Sequence, residues 1–98
     1  MDLNGQKFLV LGLARTGSAC ARFLVNRGAR VSVSDRRSEP ELKQEMASLA
    51  GLSIGYFLGG EDRSALTGVD CVIPSPGVPA ENPLLRDAVA RGDRKSVA

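Results

Sequence analysis

The chain has 98 residues, 43% of them hydrophobic, and thirteen Lys and Arg against eleven Asp and Glu give a net charge of +2. That length carries one small domain with apolar content for a three-layer core, and basic residues scattered among acidic ones leave no basic face for nucleic acid. The first seven residues are polar and no apolar run approaches a membrane span, so the expectation is a soluble, cytoplasmic chain with no membrane partner.

The first element is the apolar run Phe8-Leu9-Val10-Leu11, which stops at Gly12 and reads as a strand buried on both faces. Gly12-Leu13-Ala14-Arg15-Thr16-Gly17 then turns into a helical pattern, completing the strand, turn and helix of a nucleotide-binding βαβ unit. A helix start presents unpaired amides and partial positive charge, so this turn is the first place to look for a phosphate or another anion. The dinucleotide fingerprint is incomplete, because its middle glycine is replaced by Ala14. Such units also occur as packing solutions only.

A first helix is predicted from about Thr16 to Arg27, with Ala19, Cys20, Phe23 and Leu24 as its apolar stripe and Gly28 as its cap. Residues 29–35 alternate apolar and polar, a second strand parallel to the first and ending in Asp35. Asp35 lies 23 positions after Gly12, near the spacing at which a Rossmann unit sets an acid beside a ribose. It is a candidate sugar or base contact, or else a turn aspartate. Arg36 and Arg37 follow, either reaching a phosphate or simply solvated.

Ser38-Glu39-Pro40-Glu41 is a capping box that opens a second helix, with Leu42, Met46, Leu49 and Ala50 as its core stripe and Gly51 as its end. Residues 52–58 make a weaker third strand, with Tyr56 in the core or at its rim. Residues 59–62 form a loop, and Arg63 to Leu66 form one helical turn. A fourth strand over residues 69–73 runs into Pro74-Ser75-Pro76-Gly77-Val78-Pro79, a stiff loop with few amide donors. In sheet order 3-2-1-4 this loop faces the Gly12–Gly17 turn across the crevice where ligands bind. Alternatively it is a rigid connector with Gly77 at positive φ. Asn82-Pro83 caps a last helix with the stripe Leu84, Leu85, Ala88 and Val89, ending at Gly92.

The domain is therefore expected to span residues 1–92 as a Rossmann-like α/β three-layer fold, its parallel sheet having four or five strands in order 3-2-1-4(-5). Residues 93–98 read as a mostly polar tail where a fifth strand would follow, so either the sheet has four strands or the end of a longer chain has been cut away or altered. Cys20 and Cys71 are expected as buried reduced thiols, and with no histidine in the chain neither a metal site nor a catalytic dyad is expected.

Three stretches taken together, residues 10–17, Val31-Ser32-Val33-Ser34-Asp35-Arg36-Arg37 and Ser75-Pro76-Gly77-Val78-Pro79 with its trailing Asn82-Pro83, resemble the amino-terminal domain of the MurD family. These are ligases that join D-glutamate to UDP-N-acetylmuramoyl-L-alanine in peptidoglycan precursor synthesis. The resemblance covers about Lys7 to Gly92, and the family usually has glycine where Ala14 stands. It implies a domain that binds no dinucleotide and holds the uridine diphosphate end of the substrate. By family position Arg15 and Thr16 meet the nucleotide, Asp35, Arg36 and Arg37 border the uracil and diphosphate, and Gly77 lets the backbone approach the base. It also implies missing central and carboxyl-terminal domains that use ATP and magnesium. The phosphoryl chemistry needs a G-x-x-x-x-G-K-[ST] loop, which this sequence lacks, so no catalytic residue is expected in this chain. Two rivals remain: an NAD-type regulatory module, with Asp35 on a ribose, and a folding fragment with no measurable ligand affinity.

Overall fold

The computed structural model describes residues 3–79, 81–90 and, for the backbone, 94–95. The strands β1 (Lys7–Leu11), β2 (Arg30–Asp35), β3 (Ile54–Leu58), β4 (Cys71–Pro74) and β5 (Arg94–Lys95) form one sheet in the order β3-β2-β1-β4-β5, with parallel pairing throughout. The helices are α1 (Arg15–Asn26), α2 (Lys43–Ala47) and α3 (Pro83–Ala90), with 3₁₀ turns at Glu39–Leu42 and Arg63–Leu66. Part of the expected tail thus pairs as β5; the expected helix end at Gly92 lies outside the described residues.

Alternation along β1 builds two cores. Phe8 and Val10 join Leu13, Ala21, Leu24, Val33 and Leu42 on one face, while Leu9 and Leu11 join Leu66, Val72, Leu84 and Ala88 on the other. Because a strand sends successive side chains to opposite faces, an unbroken apolar run can serve both layers at once.

The helix ends follow their sequence signals. Gly28 adopts φ +89°, its amide donates to Val25 O (3.0 Å), and the Ala29 amide donates to Leu24 O (3.1 Å), closing α1 with the two bonds of a Schellman motif. Asn82 Oδ1 accepts from the amides of Leu84 (2.9 Å) and Leu85 (3.2 Å), capping α3. At the expected capping box, Glu41 Oε1 accepts from the Ser38 amide (2.9 Å) and hydroxyl (3.0 Å). The helix that follows is short: a 3₁₀ turn, then five residues of α2.

The expected stripes need correction. In α1 the buried positions are Gly17, Ser18, Ala21 and Leu24, whereas Ala19 is exposed and Phe23 is 49% exposed, with the Arg27 guanidinium 4.8 Å from its ring centroid. The cause is Gly17. A Cβ there would stand 2.2 Å from the Gly12 carbonyl oxygen, so the helix rotates its glycine face onto the turn and turns Phe23 outward. Ala50 is exposed and Val89 is 53% exposed, so neither joins the core. Cys20 and Cys71 are free and half-buried rather than fully buried. Burial, with a smaller contribution from Cys71, pushes the Cys20 thiol above its ordinary value.

Candidate functional site

The carboxyl ends of β1, β2 and β4 open onto a crevice of about 340 Å³, within the ~300–1,000 Å³ range of small-molecule sites. Its lining comes from the turn after β1 (Gly12, Ala14), the end of β2 and its loop (Ser34 to Arg37), the loop after β3 (Glu61) and the loop after β4 (Ser75, Gly77 to Pro79). The crevice lies beside β1, where the strand order reverses from β2 on one side to β4 on the other, the place where open α/β sheets bind ligands.

The turn after β1 is fixed by its neighbours. Gly12 has φ +91°, its amide donates to Ser34 O (2.8 Å), and its carbonyl accepts from Ser75 Oγ (2.8 Å). A Cβ on Gly12 would meet Val78 Cγ2 at 3.1 Å and Ser75 Cβ at 3.2 Å, so the glycine is set by both conformation and close approach. The Ser75 amide also donates to Leu11 O (2.8 Å). The Ser-Pro-Gly corner therefore faces the first turn across the crevice. Gly77, however, is not among the positive-φ glycines, and a Cβ there would meet nothing within 4 Å. The fold does not require glycine at that point.

Asp35 is 9% exposed and holds the crevice floor. Its carboxylate accepts from the Leu13 amide (2.8 Å), the Arg37 amide (2.8 Å), Arg37 Nε (3.1 Å) and Arg37 Nη2 (2.9 Å). Arg37 Nη2 also donates to Leu13 O (3.3 Å), tying the β2 loop back onto the first turn. Burial by itself raises the carboxyl's pKa. Hydrogen bonds from Arg37 and Leu13, with the Arg37 charge, outweigh it and leave Asp35 below its ordinary value. Arg36 instead pairs its Nε with the Glu61 carboxylate, and its side chain stays 62% exposed.

Helix α1 begins beside the crevice. Its N-cap is Ala14, which makes no side-chain capping bond, and its first turn carries no acidic residue. The amino end of α1 is thus left to satisfy its amides from outside the helix. Thr16 is exposed and, with Gly17, lines a smaller adjoining recess of about 120 Å³ that shares Ser75 with the crevice. Arg15 is exposed and lines neither space. Of the expected site residues, Gly12, Asp35, Arg36, Arg37 and Gly77 meet in one crevice, Thr16 and Gly17 stand next door, and Arg15 stands apart.

Among the lining residues that the sequence reading did not single out, Ser75 supplies the hydroxyl that holds Gly12, and Glu61, read only as part of a loop, supplies the partner of Arg36. Sheet order gives the missing signal for Glu61. Because β3 pairs with β2 up to Asp35 opposite Leu58, a charge just past β3 meets a charge just past β2. Among the described residues no cluster of His, Cys, Asp or Glu is suited to a metal ion, and no helix is long and apolar enough to cross a membrane.

Strand order, two-sided core and crevice define a Rossmann-like α/β domain. Solved structures agree on the fold. A UDP-glucose dehydrogenase from Pyrobaculum islandicum superposes with a TM-score of 0.62 at 27% identity, over 88% of this chain and 24% of that one. Shikimate dehydrogenase from Aquifex aeolicus gives 0.60 at 19% identity, over 98% and 43%. Residues 6–95 match the family described as Mur ligase MurD-like, N-terminal domain, and the chain belongs to that family. Curated relatives named UDP-N-acetylmuramoylalanine–D-glutamate ligase are 48% identical in Trichlorobacter lovleyi, over 94% of this chain and 21% of the relative. The same identity holds for the Geotalea uraniireducens relative, over 99% and 21%. The chain spans about a fifth of the length of the relatives it matches.

Proposed function

We propose that the crevice binds the uridine diphosphate end of UDP-N-acetylmuramoyl-L-alanine, as the amino-terminal domain of the cytoplasmic ligase that adds D-glutamate to it. The observation that carries this reading is the meeting of Gly12, Asp35, Arg36, Arg37 and Gly77 at one sheet edge, beside a helix start with no capping side chain, in a member of the MurD-like family. Amides of the first turn of α1 and the Thr16 hydroxyl would donate to phosphate oxygens, helped by the helix's positive end. Arg36 supplies a guanidinium fork on the open side. Gly77, which the fold does not require, leaves its wall clear for the flat base.

Two features weigh against a dinucleotide. The middle glycine of the dinucleotide fingerprint is replaced by Ala14, and both oxygens of Asp35 are engaged by Arg37 and Leu13, leaving the ribose diol of a dinucleotide a poor partner. In the whole ligase, ATP and magnesium held by other domains would activate the alanyl carboxylate for attack by the D-glutamate amine. This chain's residues contribute position: a remote nucleotide handle, once bound, aligns the reacting end. The 98-residue chain is therefore expected to show no ATP turnover with the substrate.

Calorimetry with UDP, UDP-N-acetylmuramoyl-L-alanine and NAD tests the reading. Binding of the uridine ligands in preference to NAD is expected. Preference for NAD, or no uridine binding at millimolar concentration, would overturn it.

A further inference from the structure

The crevice carries two acids and two arginines on its lining, Asp35 and Glu61 against Arg36 and Arg37, so its formal charge is zero. A site meant for a diphosphate gains little from such a balance unless one of the arginines can change partner. Arg37 is committed, through two side-chain nitrogens and its own amide, to a nearly buried carboxylate. Arg36 is not. Among the described residues its one ion pair is to Glu61, across the gap between the loops that follow β2 and β3.

Glu61 is delivered to that position by a loop pinned on both sides. Before it, Gly59 at φ +86° donates its amide to the carbonyls of both Asp35 and Arg37, each at 3.0 Å. After it, Asp62 Oδ1 accepts from the Ser64 amide (2.9 Å) and hydroxyl (2.7 Å), capping the 3₁₀ turn. The backbone is held while the Glu61 side chain, 23% exposed, spans the mouth of the crevice. The same loop, Phe57 to Asp62, lines an open surface depression of about 270 Å³ beside Glu61.

We infer that Glu61 is an internal competitor for the ligand's phosphate groups: it occupies Arg36 across the crevice mouth until an anion displaces it, and so sets affinity for charged over uncharged uridine ligands. This rests on the uridine diphosphate reading of the crevice. The exchange is chemically matched, since a guanidinium fork that holds one carboxylate oxygen can take a phosphate by two parallel bonds. The displaced carboxylate is then repelled by the incoming anion toward solvent. Because Glu61 and Arg36 form an exposed pair, the competition is worth a few-fold in affinity, not many orders.

The test is a double-mutant cycle on the full chain, with UDP and uridine as ligands. Dissociation constants come from calorimetry and amide shifts at low salt for the unmodified chain, E61Q, R36Q and R36Q/E61Q. Glu61→Gln is expected to tighten UDP about threefold to tenfold. Uridine stays within about twofold, and the UDP gain shrinks to less than about twofold when Arg36 is absent. Equal or weaker UDP binding by E61Q, with the unmodified chain still binding UDP, overturns the inference and leaves the uridine reading standing. A gain that survives in R36Q, or that extends equally to uridine, also overturns it, because Glu61 then acts without Arg36. UDP binding by neither the unmodified chain nor E61Q overturns both.

Discussion

The floor of the crevice and its outer wall are each built on one acid and one arginine, and the two pairs behave differently. On the floor, Asp35 is nearly buried and accepts four hydrogen bonds from Leu13 and Arg37, so the pair serves as a brace between β2 and the first turn. On the wall, Arg36 and Glu61 meet at one point between two loops, with Arg36 largely in solvent. Adjacent arginines in the sequence thus split into one that holds the site together and one that is left to the ligand. The lesson is that burial of the acid, not the presence of the arginine, decides which role a pair takes.

That contrast can be broken by substitution. The largest effect is expected on the floor. Asp35→Ala strands the Leu13 amide and the Arg37 guanidinium, and should cost about 2–4 kcal/mol in urea unfolding; a loss below about 1 kcal/mol would mean the brace is not structural. The glycines give a second, smaller contrast. Gly17→Ala drives a methyl into the Gly12 carbonyl and should cost about 1–3 kcal/mol. Gly77→Ala meets open space and should change stability by less than about 0.5 kcal/mol while weakening UDP binding.

Titration separates the pairs further. Asp35 is held below its ordinary pKa in the fold, so the unfolded chain takes up its proton first as pH falls. Its stabilisation is complete above the unfolded value, about pH 4, and is lost as pH drops from there through the folded value. Asp35→Asn should therefore flatten the acid limb of stability against pH and be least different from the unmodified chain at the lowest pH reached. An unchanged acid limb would show that Asp35 gains nothing from its partners. The smallest effect belongs to the wall: Glu61→Gln should move stability by less than about 0.5 kcal/mol.

Much of the fold was readable because its signals are local. The Gly28 cap, the Asn82 cap and the two-faced run of β1 each depend on residues a few positions apart, and each appears where the pattern puts it. What misled was a contact from outside the element. Phe23 has the right helical spacing for the core, but the rotation of α1 is set by Gly17 against the Gly12 carbonyl, a constraint that lies in the turn. The crevice shows the same division. Gly12, Asp35, Arg36, Arg37 and Gly77 end or follow strands that the sequence orders, so their meeting could be anticipated. Glu61 lies 25 positions beyond Arg36 and joins it only through the pairing of β2 with β3. Likewise, nothing in Arg36-Arg37 says which arginine Asp35 will hold.

The central claim, that this sheet edge is a uridine diphosphate site, is tested most directly by following backbone amide resonances of the full chain as UDP is added. Shifts should concentrate in the first turn at residues 13–17, at Arg36 and Arg37, at Glu61 and at Gly77 and Val78, and saturate together. Saturable shifts confined to the far side of the sheet, or no shifts with millimolar UDP while the chain stays folded, would contradict it.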